Sequence, residues 1–417
     1  MAQPSARRVA LAALKTWRAK KEFADGIIAR LLERSPLGSA DRGFALELFY
    51  GVLRNLTLLD FWIGSLRPGR LKNADLRDAV RLGLYQLFIS KTSEHAAVYE
   101  TVELAPKQQR PVVNGILRSA LRRRSELHAQ LKSRPLDVRF SHPKFLIERW
   151  IRQFGEKSTK ALCEWDNQPP PIYARINLLK IDRESFLDRY REARSIANNS
   201  NFVELPAPND ALNQGHCYVQ DPSTAIACEL LEPKRDKKVL DACAAPGGKT
   251  SYLAELMQNQ GSITACDRDS VRLRLVRENL ARLGVKIASV AQHDWAREEL
   301  LGAIRAQGPF DRILVDAPCS NTGVMRRRVD VRWRLQPGDF SRMHGRQLDI
   351  VRAVAPRLKP GGILVYSTCS LEPEENEQIL EAMLREMPNL KLEEKRKCLP
   401  FKDHFDGAFA AKFRRTH

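Results

Sequence analysis

From Lys238 onward short apolar runs alternate with helix-period segments, an order that few folds accommodate. Val239-Leu240-Asp241 reads as a strand and a helix follows through Leu253 and Met257; Ile263-Thr264-Ala265-Cys266-Asp267 reads as a second strand. Another helix passes through Leu273, Val276 and Leu280 before a third strand at Ala288-Ser289-Val290. This alternation predicts a doubly wound parallel sheet, because right-handed crossovers let each helix pack back on the strands it joins. Ile313-Leu314-Val315 and Ile363-Leu364-Val365-Tyr366 are short, apolar and rich in β-branched residues, so they are expected in the same sheet. Ligands of such sheets bind in the crevice beyond the carboxyl ends of the strands. Two cysteine segments follow those ends directly, Asp316-Ala317-Pro318-Cys319-Ser320 and Ser367-Thr368-Cys369-Ser370. Two thiols at that edge fit a disulfide, a metal pair or a covalent catalyst.

The eight cysteines (Cys163, Cys217, Cys228, Cys243, Cys266, Cys319, Cys369, Cys398) form no C-x-x-C and no Cys/His ligand spacing, which argues against a metal site. A reducing compartment, and so a cytoplasmic location, is expected. Arg7-Arg8 and the apolar run from Val9 to Leu14 mimic a signal peptide, but the run is short and continues into the charged stretch 15–21, as an amphipathic helix does. No stretch is apolar enough to predict a membrane span. A net charge of +19 points to a polyanionic partner, most simply nucleic acid. No obligate protein partner is evident.

The expected organisation is multidomain. Residues 1–130 show helix periodicity, with Val80, Leu84, Leu87 and Phe88 on one face and Val112, Ile116, Ala120 and Leu121 on another, broken at residues 35–39, Arg67-Pro68-Gly69 and Pro106. This predicts an all-α bundle, with Ser39 or Asp41 as a helix cap. Arg42, Arg54, Arg118 and Arg122-Arg123-Arg124, taken together with the net charge, are its candidates for RNA backbone contact, although any one of them alone reads first as a solvated face. Residues 131–235 form a connecting α/β subdomain, in which Pro169-Pro170-Pro171 leads into a strand near 172–177. Residues 236–417 carry the Rossmann-like sheet.

The loop Asp241-Ala242-Cys243-Ala244-Ala245-Pro246-Gly247-Gly248-Lys249-Thr250 joins the first strand to its helix, where a nucleotide-type ligand docks. Its end resembles a P-loop, but a Walker A motif requires glycine where Cys243 stands, and G-x-G-x-x-G is also missing. Asp267, ending the second strand, suits ribose hydroxyls, and Asp294, beyond the third, suits an adenine amine. Acids at successive strand ends favour S-adenosylmethionine over a phosphate-bearing ligand. The candidate cofactor-binding residues are Cys243, Ala244, Ala245, Pro246, Gly247, Gly248, Lys249, Asp267, Asp294 and Asp316.

On loop 241–250, residues 316–320, residues 367–370 and the following Glu372-Pro373-Glu374-Glu375-Asn376, the chain resembles the RNA cytosine-C5 methyltransferases. Within them it resembles the bacterial small-subunit ribosomal RNA methyltransferase B family (RsmB, Sun or Fmu). Ser141-His142-Pro143, Arg175-Ile176-Asn177 and Tyr218-Val219-Gln220-Asp221 resemble the same family. Asp41-Arg42, Tyr50-Gly51-Val52-Leu53-Arg54 and Asn114-Gly115-Ile116-Leu117-Arg118 resemble NusB. The resemblance implies methylation of carbon 5 of a cytosine in 16S rRNA, cytosine 967, through a covalent adduct. It assigns the nucleophile to Cys369, release of the methylated base to Cys319, a contact near cytosine N3 to Asp316, and orientation of Asp316 to Lys249. The same chemistry on transfer RNA or another ribosomal site, or a non-catalytic RNA-binding assembly factor, are the alternatives. Arg326-Arg327-Arg328 and Arg332-Trp333-Arg334 are expected to hold RNA beside the site. The chain departs from the family pattern at Arg328-Val329-Asp330, where His-Pro usually precedes the aspartate, and at Ala408, where an aromatic is common.

Overall fold

The computed structural model describes residues 5–19, 21–67, 69, 71–90, 92–196, 199–296, 304 and 307–417. Lys20 and Pro68, which figure in the sequence reading, lie outside them. The chain forms two compact units, the first comprising Met1–Pro169 with Met325–Leu335 and the second Pro170–Val324 with Gln336–His417.

The first unit is helical. Ser5 caps the helix Ala6–Arg18, which buries Ala10, Ala13, Leu14 and Trp17 at helical spacing. The helix Ala74–Phe88, capped by Asn73, is enclosed on most of its circumference. Val80, Leu84 and Leu87 are buried there as the periodicity predicts. Gly51 admits the Tyr85 ring so closely that a Cβ would lie 2.0 Å from Tyr85 Cζ. The helix Ser39–Arg54 starts two residues before Asp41, and its cap is Gly38 rather than the expected Ser39 or Asp41. Helical packing continues beyond residue 130 through Lys144–Phe154 and Glu156–Asp166, so the expected boundary at 130 falls inside the helix Arg124–Lys132.

The second unit holds two sheets. Strands β1 (Tyr173–Ile176), β2 (Arg194–Ile196), β3 (Asn199–Glu204) and β4 (Cys217–Val219) form a small antiparallel sheet in the order β2-β3-β1-β4. The larger sheet contains β5 (Lys238–Asp241), β6 (Ser262–Asp267), β7 (Ala288–Gln292), β8 (Phe310–Asp316), β9 (Leu358–Thr368), β10 (Leu390–Cys398) and β11 (Ala408–Arg415). Its order is β10-β11-β9-β8-β5-β6-β7, with β5 to β9 mutually parallel and β10 and β11 antiparallel at one edge. Side chains alternate between two cores: Leu240, Ile313, Val315, Leu364 and Tyr366 enter one, while Val239, Leu314, Ile363 and Val365 enter the other. Burial on both faces explains why these strands read as unbroken apolar runs. Strand order reverses between β5 and β8, which opens the crevice at their carboxyl ends.

The small sheet is fastened to the helix Gly248–Leu256 that follows the first loop. Buried Arg175 reaches Glu255 and donates to Ser251 Oγ at 2.8 Å, with its guanidinium 4.6 Å from the Tyr252 ring centroid. Asn177 Nδ2 donates to the Leu283 carbonyl at 2.9 Å. A Cβ on Gly248 would lie 2.7 Å from the Tyr218 ring, so this glycine lets the aromatic rest on the loop.

Candidate active site

Loop 241–250 is shaped by its own backbone. Ala244 N–H donates to the Cys266 carbonyl at 2.7 Å, and Gly247 N–H to the Ala244 carbonyl at 2.7 Å. Gly247 has φ of 104°, left-handed backbone in which a side chain would be strained. Asp241 is fully buried; one oxygen accepts from Thr250 Oγ1 at 2.7 Å, while Oδ1 has no hydrogen-bond partner. Burial pushes its carboxyl up to about 7, against the Thr250 hydrogen bond. Trp295 Nε1 donates to the Ala242 carbonyl at 3.0 Å from the far side of the crevice.

Asp267 ends β6 and accepts from Ala245 N–H at 3.2 Å and Asp269 N–H at 3.1 Å. Asp294 accepts from Ala296 N–H at 3.2 Å. Each ionised carboxylate has acceptor capacity beyond these bonds. The chemistry of this edge therefore suits a ligand presenting hydroxyl and amine donors. Cys243 lies in the loop half-exposed, its thiol pKa raised by burial and then by Asp267.

The second half of the site lies where β8 and β9 run side by side, with Asp316 paired in register with Ser367. Lys249 Nζ donates to Asp316 Oδ2 at 2.7 Å, and Ser367 Oγ donates to Asp316 Oδ1 at 2.9 Å. Burial disfavours the Lys249 ammonium, but the adjoining Asp316 carboxylate outweighs it and raises the pKa. Lys249 is thus a fixed cation rather than a base. Cys319 and Cys369 face each other with sulfurs 3.3 Å apart, too far for a disulfide bond, and both are free. The Cys369 thiol also donates to Asn321 Oδ1 at 3.3 Å.

The thiols differ in setting. Cys319 is 8% exposed, and its hydrogen bond with Cys369, followed by burial, raises its pKa well above that of an ordinary thiol. Cys369 is half-buried and is the more exposed of the two residues. Cys163, Cys217, Cys228, Cys266 and Cys398 are buried and free, as expected of small core residues.

The arginine segments differ from expectation. Arg332 is fully buried in the first unit, donating to Asn167 Oδ1 at 2.7 Å and the Asp166 carbonyl at 3.1 Å. Arg326 is buried 4.0 Å from the Trp165 ring centroid and donates to the Pro169 carbonyl at 2.9 Å. Trp333 Nε1 donates to the Leu53 carbonyl at 2.8 Å, and Arg54 is buried as well. A guanidinium carries five donors, and those of Arg326 and Arg332 that are paired here go to carbonyls and amides inside the helical unit instead of phosphates. Val329 is fully buried in the same core and Asp330 accepts from Ala24 N–H at 3.0 Å, so the departure at 328–330 serves packing. Arg42, Arg118, Arg122, Arg124 and Arg328 remain exposed.

Sequence reasoning assigned no role to Ser367, Asn321, Gln347 or Glu375, which bind the site residues directly or through one neighbour. Ser367 is the one with a readable signal, since it stands at the strand end opposite Asp316. Among the described residues no helix is long and apolar enough to cross a membrane, and no cluster of three His, Cys, Asp or Glu side chains is placed to hold a metal.

Three family models match: the 16S rRNA methyltransferase RsmB/F model over residues 228–414, the NusB family over 4–122, and an RsmF/B-like ferredoxin-like domain over 142–205. The probable ribosomal RNA small subunit methyltransferase B of Bacillus subtilis is 34% identical over 94% of this chain and 90% of its own. The ribosomal RNA small subunit methyltransferase B of Shigella flexneri is 38% identical over 84% of each chain. The crystal structure of PH0851 aligns over all of both chains with a TM-score of 0.79 at 24% identity, a likeness of fold. A methyltransferase homologue from Pyrococcus horikoshii is 30% identical, covering 67% of this chain and 97% of its own with a TM-score of 0.59. With a NusB-type helical region followed by a Rossmann-like catalytic sheet, the chain belongs to the RsmB/F family of ribosomal RNA methyltransferases.

Proposed function

We propose that this protein methylates carbon 5 of a cytosine in 16S rRNA, cytosine 967, through a transient bond between Cys369 and carbon 6 of the base. The observation that carries the reading is the pair of free thiols 3.3 Å apart, set beside the Lys249–Asp316 ion pair at the ends of two adjacent parallel strands. Carbon 5 of cytosine is too weak a nucleophile to take a methyl group unaided. Addition of a thiolate to carbon 6 pushes electron density onto carbon 5 and makes the transfer feasible.

S-adenosylmethionine supplies an electrophilic methyl group on a sulfonium when bound. The loop edge fits it: left-handed Gly247 lets the loop turn tightly into the helix, while Asp267 and Asp294 offer acceptors for ribose hydroxyls and the adenine amine. Cys369 supplies the attacking sulfur. Asp316 contacts the base near N3, and the Lys249 ammonium opposes the negative charge the ring acquires as the C6–S bond forms. After methylation the C5 proton passes to water, the C5–H electron pair restores the ring double bond, the C6–S bond breaks and Cys369 leaves as thiolate. Cys319 assists this second half from hydrogen-bond distance of the leaving sulfur. The base must be unstacked to reach the thiols, which costs a few kcal/mol unless it already lies in a loop. Exposed Arg118 and Arg122, one turn apart on the helix Arg110–Arg122, are available for phosphate contacts.

Bisulfite sequencing of ribosomal RNA from cells with and without the gene tests the assignment. One cytosine of the small-subunit RNA is expected to lose protection in the deletion strain and regain it on complementation; an unchanged pattern would refute the proposal. The cofactor reading has its own check. Asp267→Ala should weaken S-adenosylmethionine binding by about 1–3 kcal/mol, the scale of a hydrogen bond to a charged group and of the cost of unpairing it. Calorimetry showing equal affinity would remove Asp267 from the cofactor site.

A further inference from the structure

Behind the two cysteine turns lies a carboxylate that the reaction as written does not use. Glu375 is fully buried, and among the described residues no lysine, arginine or histidine forms an ion pair with it. Its charge is held instead by four hydrogen bonds. Oε2 accepts from Ser320 N–H at 2.9 Å and from Gln347 Nε2 at 2.9 Å. Oε1 accepts from Ser370 Oγ at 2.8 Å and from Ser320 Oγ. Ser320 is the residue after Cys319 and Ser370 the residue after Cys369. One carboxylate therefore grips both cysteine turns one position beyond each sulfur.

Its surroundings hold Glu375 rigidly. Tyr366 on β9 donates its hydroxyl to the Glu375 carbonyl at 2.7 Å. Gln347, on the helix Asp339–Val354, also donates to the Pro318 carbonyl at 3.0 Å, adding a second tie to the Cys319 turn. Asn376 donates to the Ser370 carbonyl at 2.8 Å and accepts from Thr368 Oγ1 at 2.6 Å. Glu375, Tyr366, Gln347, Asn376, Ser370 and Thr368 are all buried, so these bonds do not exchange for water at little cost.

We propose that Glu375 is a positioning residue for the reaction: by bonding Ser320 and Ser370 at once, it sets the spacing of the Cys319 and Cys369 sulfurs for attack and release. The proposal rests on the covalent reading above. The spacing matters because displacements near 1 Å in a reacting group cost on the order of a hundredfold in rate. Gln at position 375 keeps the shape but presents an NH2 group to donors, so one side of the clamp opens. It also removes a negative charge beside Cys319, which contributes to the raised pKa of that thiol.

The test compares the full-length protein with Glu375→Gln, using S-adenosylmethionine and small-subunit rRNA transcribed with 5-fluorocytidine. A fluorinated C5 has no proton to lose after methylation, so the adduct accumulates and its rate of formation is measured in single turnover. The expected result for Glu375→Gln is a rate lower by about 10–100-fold, with S-adenosylmethionine affinity and the KM for RNA unchanged. The pH midpoint for iodoacetamide alkylation of Cys319 should move down, because the neighbouring negative charge is gone. A role confined to folding would change the amount of active protein, and so the amplitude of adduct formation, but not its single-turnover rate constant. Equal single-turnover adduct rate constants in the two proteins would overturn the inference while leaving covalent catalysis standing. No adduct with the wild-type protein would remove covalent catalysis and the inference together. If Glu375→Gln fails to fold, Ser370→Ala keeps the carboxylate and deletes one clamp bond; slower adduct formation supports the proposal, and an unchanged rate overturns it.

Discussion

Cys369→Ala is expected to abolish methylation and to leave no protein–RNA adduct on a denaturing gel. Without the sulfur nothing raises the electron density at carbon 5, and loss of a covalent nucleophile costs on the order of 10⁴–10⁶ in rate. The family resemblance assigns this role to Cys369, and the settings of the two residues support it. Cys369 is the more exposed, while Cys319 is 8% exposed and its pKa is raised first by its hydrogen bond with Cys369 and then by burial. Methyl transfer from radiolabelled S-adenosylmethionine to RNA measures the first outcome and electrophoresis the second. Residual activity near the wild-type level would refute a nucleophilic role for Cys369.

Cys319→Ala should behave in the opposite way. Attack and methyl transfer still proceed, elimination stalls, and a protein–RNA adduct accumulates that survives denaturation. The double variant with Cys369→Ala should form none, which makes the adduct's dependence on the second thiol the decisive reading. If Cys369→Ala were the variant that trapped RNA, the two roles would exchange. Full turnover without either thiol would eliminate the covalent route.

Local patterns made much of this architecture legible. The strands β5 to β9 stood out because strands buried on both faces are unbroken apolar runs, and the loops that follow them carry the chemically distinctive residues. Asp316, Cys319 and Cys369 were identifiable for that reason, as was Lys249 at the start of the first crossover helix. The edge pair β10 and β11 was not read as strands. Leu390–Cys398 is largely exposed and highly charged, and its pairing with Ala408–Arg415 depends on a partner beyond a turn rather than on its own periodicity.

Charge was the least readable property. Arg332 and Arg326 have the composition of an RNA-binding surface, yet their donors are used on carbonyls and side chains within the helical unit. Sequence records that a guanidinium is present; burial decides whether phosphate can reach it. The chain by itself determined the doubly wound sheet and the helical amino-terminal region, and it singled out the candidate reactive groups, since each follows from short-range periodicity or from residue chemistry. Tertiary structure alone decided which arginines are exposed, that the two sulfurs lie 3.3 Å apart, and that Glu375 joins the turns bearing them. The Cys319–Cys369 and Ser320–Glu375 contacts join residues 50 and 55 positions apart, formed when parallel strands and their loops come into register.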